Sequence, residues 1–333
     1  MLIIPRLSFL ISLIIGGAFT ALATSEEIVQ RHLTAAPGGK VVVDVDFGTI
    51  EVTGGADDNA VAVNARRTVE ISDKAREKEF VAAAPITVSQ EDNVVTVRAR
   101  SNREWDWNDR HTRMDARYFI QVPKSFNADL HTGGGAIHAS DLNGKVEANT
   151  AGGRLYFSRV NGSTDAKTSG GGVSLTDCDG AIKIHSAGGK IVARGGKGTL
   201  DAETAGGQMA IRNFGGRINI ASSGGQLILN QISGPINART GGGQINATVS
   251  TATDIKLETG AGAIMLGIPA DGGFNIDAHS SIGEVTTDLP VSAARKDRDG
   301  LTGSLNGGGK TLFLRTSAGG IHIKAAPAAT ASR

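Results

Sequence analysis

Residues 204–221 read TAGGQMAIRNFGGRINIA, and these eighteen residues decide the fold. The stretch is two nine-residue halves, TAGGQMAIR and NFGGRINIA, each a glycine pair followed by alternating apolar and polar residues. Alternation with a period of two is the signature of a half-buried β-strand, and the glycines mark a turn before each strand. The same pattern extends in both directions. From Thr132 the chain runs through seven consecutive blocks of eighteen residues, starting at Thr132, Thr150, Thr168, Ser186, Thr204, Ser222 and Thr240. Numbered from those residues, column one holds only hydroxyl side chains. Columns three and four hold only glycine, as in Gly152 with Gly153 and Gly206 with Gly207. Columns six and eight are apolar throughout, from Ile137 and Ala139 to Ile245 and Ala247. A second apolar pair occupies columns fifteen and seventeen, as Ile182 with Ile184 and Ile218 with Ile220.

A strand this short with one apolar face cannot bury itself. Stacking successive coils at ~4.8 Å pairs each strand with its counterpart above and below and joins the apolar columns into a continuous spine. The expected fold is therefore all-β, a β-solenoid with 18-residue coils made of two 9-residue half-repeats. Column one then becomes a ladder of hydroxyls able to hydrogen-bond along the axis, and the glycine pairs are expected to supply positive φ at the corner. On that expectation Gly206→Val should fail to fold. Cys178 lies in column eleven with Leu142, Val160, Phe214 and Ile232, and is read as a core thiol.

Two other repeat architectures are excluded by spacing. The hexapeptide helix of acyltransferases also has eighteen residues per coil, but its apolar period is six, not nine. Calcium-binding nonapeptide repeats carry a recurring aspartate, whereas the residue after each glycine pair here is Ala136, Arg154, Gly172, Lys190, Gln208, Gln226 or Gln244.

Outside the blocks the form persists less regularly. GGKVVVDVDFGTIEVTGG at 38–55 repeats it, and Val61 to Ala65 continues it. Thr259, Gly262, Ile264 and Leu266, and again Thr316, Gly319, Ile321 and Ile323, match columns one, four, six and eight. The part 24–131 reads as a strand-rich N-terminal region. It comprises a short helix at 72–84, capped by Ser72 or Asp73 and ended by Pro85, and a meander of strands at 86–90, 94–100 and 117–122. The solenoid is assigned to 132–324, with a mobile charged loop at 288–309 and a disordered tail at 325–333.

Residues 1–23 carry an apolar run from Leu7 to Ile15 with Arg6 before it and an A-x-A box at Ala21 and Ala23, which reads as a secretory signal peptide cleaved after Ala23. That places the mature chain outside the cytoplasm, in the periplasm or at the cell surface, with no stable membrane span. A single cysteine allows no intramolecular disulfide, so stability must come from strand pairing and burial. Composition sets further limits: 46 glycines with only 8 prolines and no three-residue period exclude collagen, and 4% aromatics mean a thin aliphatic core. The formal net charge is +1 with no basic stripe, which argues against nucleic acid.

The signal sequence, the opening at 38–55, the glycine-punctuated coils and the GGGKTLFLRTSAGGIHI close at 307–323 together resemble the bacterial putative-adhesin family. The likeness covers roughly residues 36–324. It implies an extracytoplasmic β-solenoid domain and brings no catalytic signature.

No catalytic residues, metal ligands or cofactor are assigned. Column seven, read as outward-facing, varies freely through His138, Tyr156, Ser174, Val192, Ala210, Ile228 and Asn246, and no paired carboxylates emerge. Asp177 and Asp179 read as turn residues. One stretch, the insertion at 101–116, is not explained by the repeat. It carries both tryptophans, Trp105 and Trp107, beside Arg110 and His111, and these four are the candidate ligand-binding residues, with a lid over the apolar core as the alternative. The structural candidates are Thr132, Thr150, Thr168, Thr204, Thr240, Gly152, Gly153, Gly206, Gly207, Ile218 and Cys178. The functional expectation is an exported, non-enzymatic adhesive solenoid whose partner is an envelope polysaccharide or protein. A β-helix enzyme acting on carbohydrate and an envelope sensing or docking module are the alternatives.

Overall fold

The structure is a computed structural model, and it describes residues 25–55, 59–101 and 113–327. Its strands form two long sheets, here sheet 1 with fourteen strands and sheet 2 with fifteen. Each coil gives one strand to each sheet. Ile137–Ser140, Leu155–Ser158 and Val173–Thr176 follow one another in sheet 1, and Val146–Thr150, Thr164–Thr168 and Asp179–Ser186 in sheet 2. Pairing is parallel and in register at the eighteen-residue offset, so Leu155 faces Ile137 and Val173, and Thr164 faces Val146 and Ile182. The expected coil is therefore the observed one. The apolar columns meet between the sheets in one core, where Ile137, Leu155, Ile191, Ile218, Leu227 and Ile245 are fully enclosed.

The hydroxyls of column one are buried inside the corner, with Thr132, Thr150, Thr168, Thr204 and Thr240 each no more than 5% exposed. They do not bond to one another. The Thr150 hydroxyl donates to the Gly135 carbonyl of the preceding coil at 3.0 Å and accepts from the Gly153 amide of its own coil at 3.1 Å. Thr168 repeats this with Gly153 and Gly171, at 3.0 Å each, and Ser186 with Gly171 and Gly189, at 3.2 and 2.9 Å. The same clip recurs at Thr204, Ser222 and Thr240. A hydroxyl suits this place because it can donate and accept at once.

The clip corrects the expectation of positive φ at the glycine pair. None of those glycines has a left-handed backbone; positive φ falls instead at column thirteen, with Gly180 at 108° and Gly216 at 125°, and at column ten, where Asp141, Arg159, Asp177, Asn213 and Gln231 lie between 52° and 59°. The second glycine of each pair is required by contact. A Cβ on Gly207 would stand 2.0 Å from the Gly189 carbonyl oxygen, and one on Gly153 1.7 Å from that of Gly135. The first glycine faces open space, with nothing within 4 Å of a Cβ on Gly206 or Gly152.

Both ends depart from the simple stack. In sheet 2 the last repeat strand, Lys310–Ala318, lies between Ile255–Ala261 and Phe274–Ile282, so the chain returns to fill a place one coil back. The matched columns persist across that return: Thr259 faces Thr316 and Ile264 faces Ile321. Residues 288–309, expected as a mobile loop, supply the strands Ser292–Lys296 and Gly300–Leu305, which pair antiparallel and extend sheet 2. Leu301 and Leu305 enter the core, which is what holds the segment down.

At the other end, the coil Lys40–Val45 and Thr49–Gly54 continues the stack, as its sequence indicates. Val61 to Ala65 does not form a coil; it belongs to Ala60–Glu70, which runs antiparallel between Arg113–Val122 and the edge strand Ser25–Thr34. The three strands expected as a meander divide between the sheets. Thr87–Glu91 and Val94–Ala99 make a hairpin in sheet 2, while Arg113–Val122 joins sheet 1. Short edges carrying Glu91 at one end and Arg295 and Lys296 at the other discourage pairing with further chains.

The helix spans Lys74–Ala83, with Asp73 as its N-cap accepting from the Ala75 amide at 2.8 Å. Phe80 buries against Val69, Ile71 and Ala84. Two charged groups pin the helix to the edge strand. Arg67, 1% exposed, pairs with Glu27 at 2.6 Å and donates to the Ala84 carbonyl. Glu77, 2% exposed, accepts from Ser25 Oγ at 2.5 Å, Lys74 Nζ at 2.7 Å and the Ile71 amide at 3.0 Å. Burial alone would push the Glu77 carboxyl up, but those three bonds outweigh it and hold it at about 2.

Two predictions follow from these contacts. Gly206→Ala should melt within a few degrees of wild type, whereas Gly207→Ala should lose several kcal/mol, on the order of an overpacked core change; equal melting of the two would refute the close approach. For Glu77 the folded carboxyl titrates below the unfolded one, so its contribution is full above about 4.5 and is lost as pH falls towards about 2. Glu77→Gln should therefore be less stable than wild type at pH 7, with the gap closing by about pH 2 in thermal unfolding.

Candidate functional site

The in-register stack turns every outward column into a row of side chains one strand spacing, ~4.8 Å, apart. On sheet 2 the outward positions are columns fourteen, sixteen and eighteen. In the N-terminal half, column sixteen places Asp129, Glu147 and Asp165 side by side. This acidic row escapes a reading of column seven, which lies on the other sheet; the same reading applied to column sixteen finds it. Its charge is compensated locally. Asp129 pairs with Lys40 at 2.7 Å and His131 at 2.6 Å, Glu147 with Lys145, and Asp165 with Lys167 at 3.7 Å. Burial opposes the Asp129 charge, but the bonds from Lys40 and His131 outweigh it and keep that carboxyl below its usual range.

The C-terminal half of the same face is hollowed. A groove of about 920 Å³ runs over seven strands, from Asp179–Ser186 to Phe274–Ile282. Its floor is the column-eighteen row His185, Glu203, Ala221, Arg239, Glu258, Arg315 and His279, each facing the next across the ladder. Alongside run Asp201, Asn219, Asn237, Lys256 and Phe313 of column sixteen. The amides are chained: Asn237 Nδ2 donates to Asn219 Oδ1 at 3.0 Å, and Asn219 Nδ2 to Asp201 Oδ1 at 3.1 Å. Towards the C-terminal end the charges pair, Lys256 with Glu258 at 3.1 Å and Arg315 with Asp277 at 2.6 Å. The Arg315 guanidinium also covers the Phe313 ring, 4.1 Å from its centroid. Arg239 makes no ion pair among the described residues.

This arrangement offers hydrogen-bond donors and acceptors in alternation along a rigid face. Glu203 and Glu258 stand three strands apart, ~14 Å by strand spacing, while Asp201 and Glu203 lie two residues apart on one strand and face the same way, ~7 Å by the rise of a strand. Among the described residues the carboxyls displaced in acidity, Glu77, Asp129 and Asp141, are all displaced downward, the direction of an ion pair.

Trp105, Trp107, Arg110 and His111 lie outside the described residues. The segment that carries them leaves Val94–Ala99 of sheet 2, with the Ser101 amide bonded to Asp46 at 2.6 Å, and re-enters at Arg113–Val122 of sheet 1. Cys178 is 2% exposed in the core with its Sγ 3.5 Å from the Thr176 carbonyl, and burial pushes its thiol up. Asp177 and Asp179 occupy the corner, the latter accepting from the Lys197 amide at 2.9 Å. His138 stacks on Tyr156 on the outer face of sheet 1, ring centroids 4.5 Å apart, and His322 contacts Thr286 and Asp288. His185 and His279 line the groove.

Two parallel sheets wound coil on coil around one aliphatic core, with a polar groove along one outer face, define a two-sheet β-solenoid. The profile of the family described as Toastrack DUF4097 matches residues 48–324, and the chain belongs to that family. Among curated proteins none matches it. Similar solved structures include a putative adhesin from Bacteroides fragilis NCTC 9343, 12% identical over 90% of this chain and 98% of that one with a TM-score of 0.33. A putative adhesin from Parabacteroides distasonis ATCC 8503 is 13% identical over 90% and 97%, TM-score 0.34. A protein from the same strain described as a putative lipid binding protein is 12% identical over 89% and 96%, TM-score 0.38. Likeness at these scores carries no argument about what this chain binds. Among the described residues, no helix is long and apolar enough to cross a membrane.

Proposed function

We propose that this chain is an exported, non-enzymatic adhesive solenoid that holds a polymer or protein of the cell envelope or its surroundings against the outer face of sheet 2. One observation carries the reading: the groove of about 920 Å³ lies on that face over seven successive strands, floored by side chains in strict register. A rigid backbone row of this kind presents its polar groups with no backbone ordering cost on binding, which favours an extended partner. The apolar stretch and A-x-A box at 1–23 support export, with the mature chain in the periplasm or on the cell surface.

The test uses chain lacking residues 1–23 and fractionated envelope material. Arg239→Ala combined with Glu258→Ala should weaken retention about tenfold or more, equivalent to ~1.4 kcal/mol, with the melting temperature unchanged. Tyr156→Ala, on the opposite face, should bind as wild type. Loss of binding in Tyr156→Ala with retention in the double variant would place the binding face on sheet 1 and contradict the assignment.

A further inference from the structure

Within the groove the row of long side chains is broken once. At Ala221 only a methyl group rises from the sheet, and a hollow of about 380 Å³ opens over it. Glu203 flanks it on one side and Arg239 on the other, each one strand away in register. The gap between these two is therefore two strand spacings, roughly 10 Å, wide enough for a pyranose ring with a hydrogen bond to each side. Asn219 stands next to Ala221 on the same strand, held by its bonds to Asp201 and Asn237.

We propose that this hollow is a subsite for one sugar residue of a neutral, hydroxyl-rich glycan lying along the solenoid axis; the inference rests on the assignment of the sheet 2 face as the binding face. The chemistry of the walls selects the class. A carboxylate such as Glu203 only accepts hydrogen bonds, a guanidinium such as Arg239 only donates, and the amides of Asn219 and Asn237 do both. A sugar hydroxyl donates and accepts, so a ring with several hydroxyls satisfies every wall. The formal charges of the lining balance, Lys183 and Arg239 against Asp201 and Glu203, so a chain bearing a carboxylate or sulfate on each residue gains no net attraction and meets two like charges at short range. An apolar chain would bury Arg239 and Glu203 without partners.

The neighbours leave Arg239 available. Farther along the row Lys256 holds Glu258 and Arg315 holds Asp277, so the cations beyond the hollow are engaged. On the far side His185 approaches Glu203 only to 3.9 Å. The methyl of Ala221 supplies a small apolar floor suited to the C–H face of a ring.

A glycan array carrying neutral hexose and N-acetylhexosamine oligomers, oligouronates and sulfated chains tests this, followed by calorimetry with the best neutral oligomer. The expected result is retention of neutral oligomers, little affected by added salt. Ala221→Leu, which fills the hollow, and Arg239→Gln should each weaken binding about tenfold or more while melting as wild type. Retention of only uronate or sulfated chains, or wild-type affinity in Ala221→Leu, would overturn the subsite and leave the binding face standing on the Arg239 and Glu258 double variant. An empty array with an envelope protein retained through that face would likewise overturn the subsite alone. Envelope retention indifferent to the double variant would overturn both.

Discussion

Everything in this molecule depends on how closely one coil can sit on the next at the corner. There the chain stacks glycine on glycine, and a buried hydroxyl joins them by donating to the carbonyl below and accepting the amide of its own coil. Each part of the clip constrains the others. The carbonyl of the coil below occupies the space a Cβ would need, so column four must be glycine. With those amides and carbonyls facing inward, an apolar residue in column one would leave both unpaired, at ~1–3 kcal/mol for each buried group. Only Ser or Thr answers the two demands in so little space, and Ser186 fills the place as completely as its threonine neighbours, at 0% exposure.

From that clip the rest follows in order. A fixed corner fixes the register, the register puts Ile, Leu and Val of successive coils in contact, and the two sheets close over a single, mostly aliphatic core with a few buried rings such as Phe157 and Phe214 and no disulfide. The outer faces carry no such burden. Their rows can change freely without disturbing the spine, and on sheet 2 they have diverged along its length. The N-terminal rows neutralise their own carboxylates with Lys40, His131, Lys145 and Lys167. In the C-terminal rows Arg239, which makes no ion pair among the described residues, stands beside the methyl of Ala221. Recognition on this scaffold is thus a matter of which side chain occupies which rung.

Much of this was legible in the repeat because each column reports one environment seven times. The apolar columns, the buried hydroxyls and the burial of Cys178 could be read that way. What the period does not carry is anything decided by a single contact. The glycines at column four look like flexible corner residues, yet their backbone is ordinary and the constraint comes from the neighbouring coil. Residues tolerating positive φ at column ten, such as Arg159 and Gln231, give no compositional sign of it. At 288–309 charge and glycine suggest a loop, and only Leu301 and Leu305 mark the strand that reaches the core. The groove escapes a reading of column seven because its rows are columns sixteen and eighteen of sheet 2, and Trp105 and Trp107, the residues unlike the repeat, lie outside the described residues.

The clip is tested most directly by replacing the hydroxyl with a methyl of the same shape. Thr168→Val, Thr204→Val and Thr240→Val each keep the buried volume and remove one donor and one acceptor. Denaturant unfolding of the three variants should show a loss of ~2–6 kcal/mol apiece, ~1–3 for each of the two groups left unpaired, with an unchanged dependence on denaturant concentration. Midpoints equal to wild type would contradict the account, because the glycine corner would then hold its spacing without the hydroxyl.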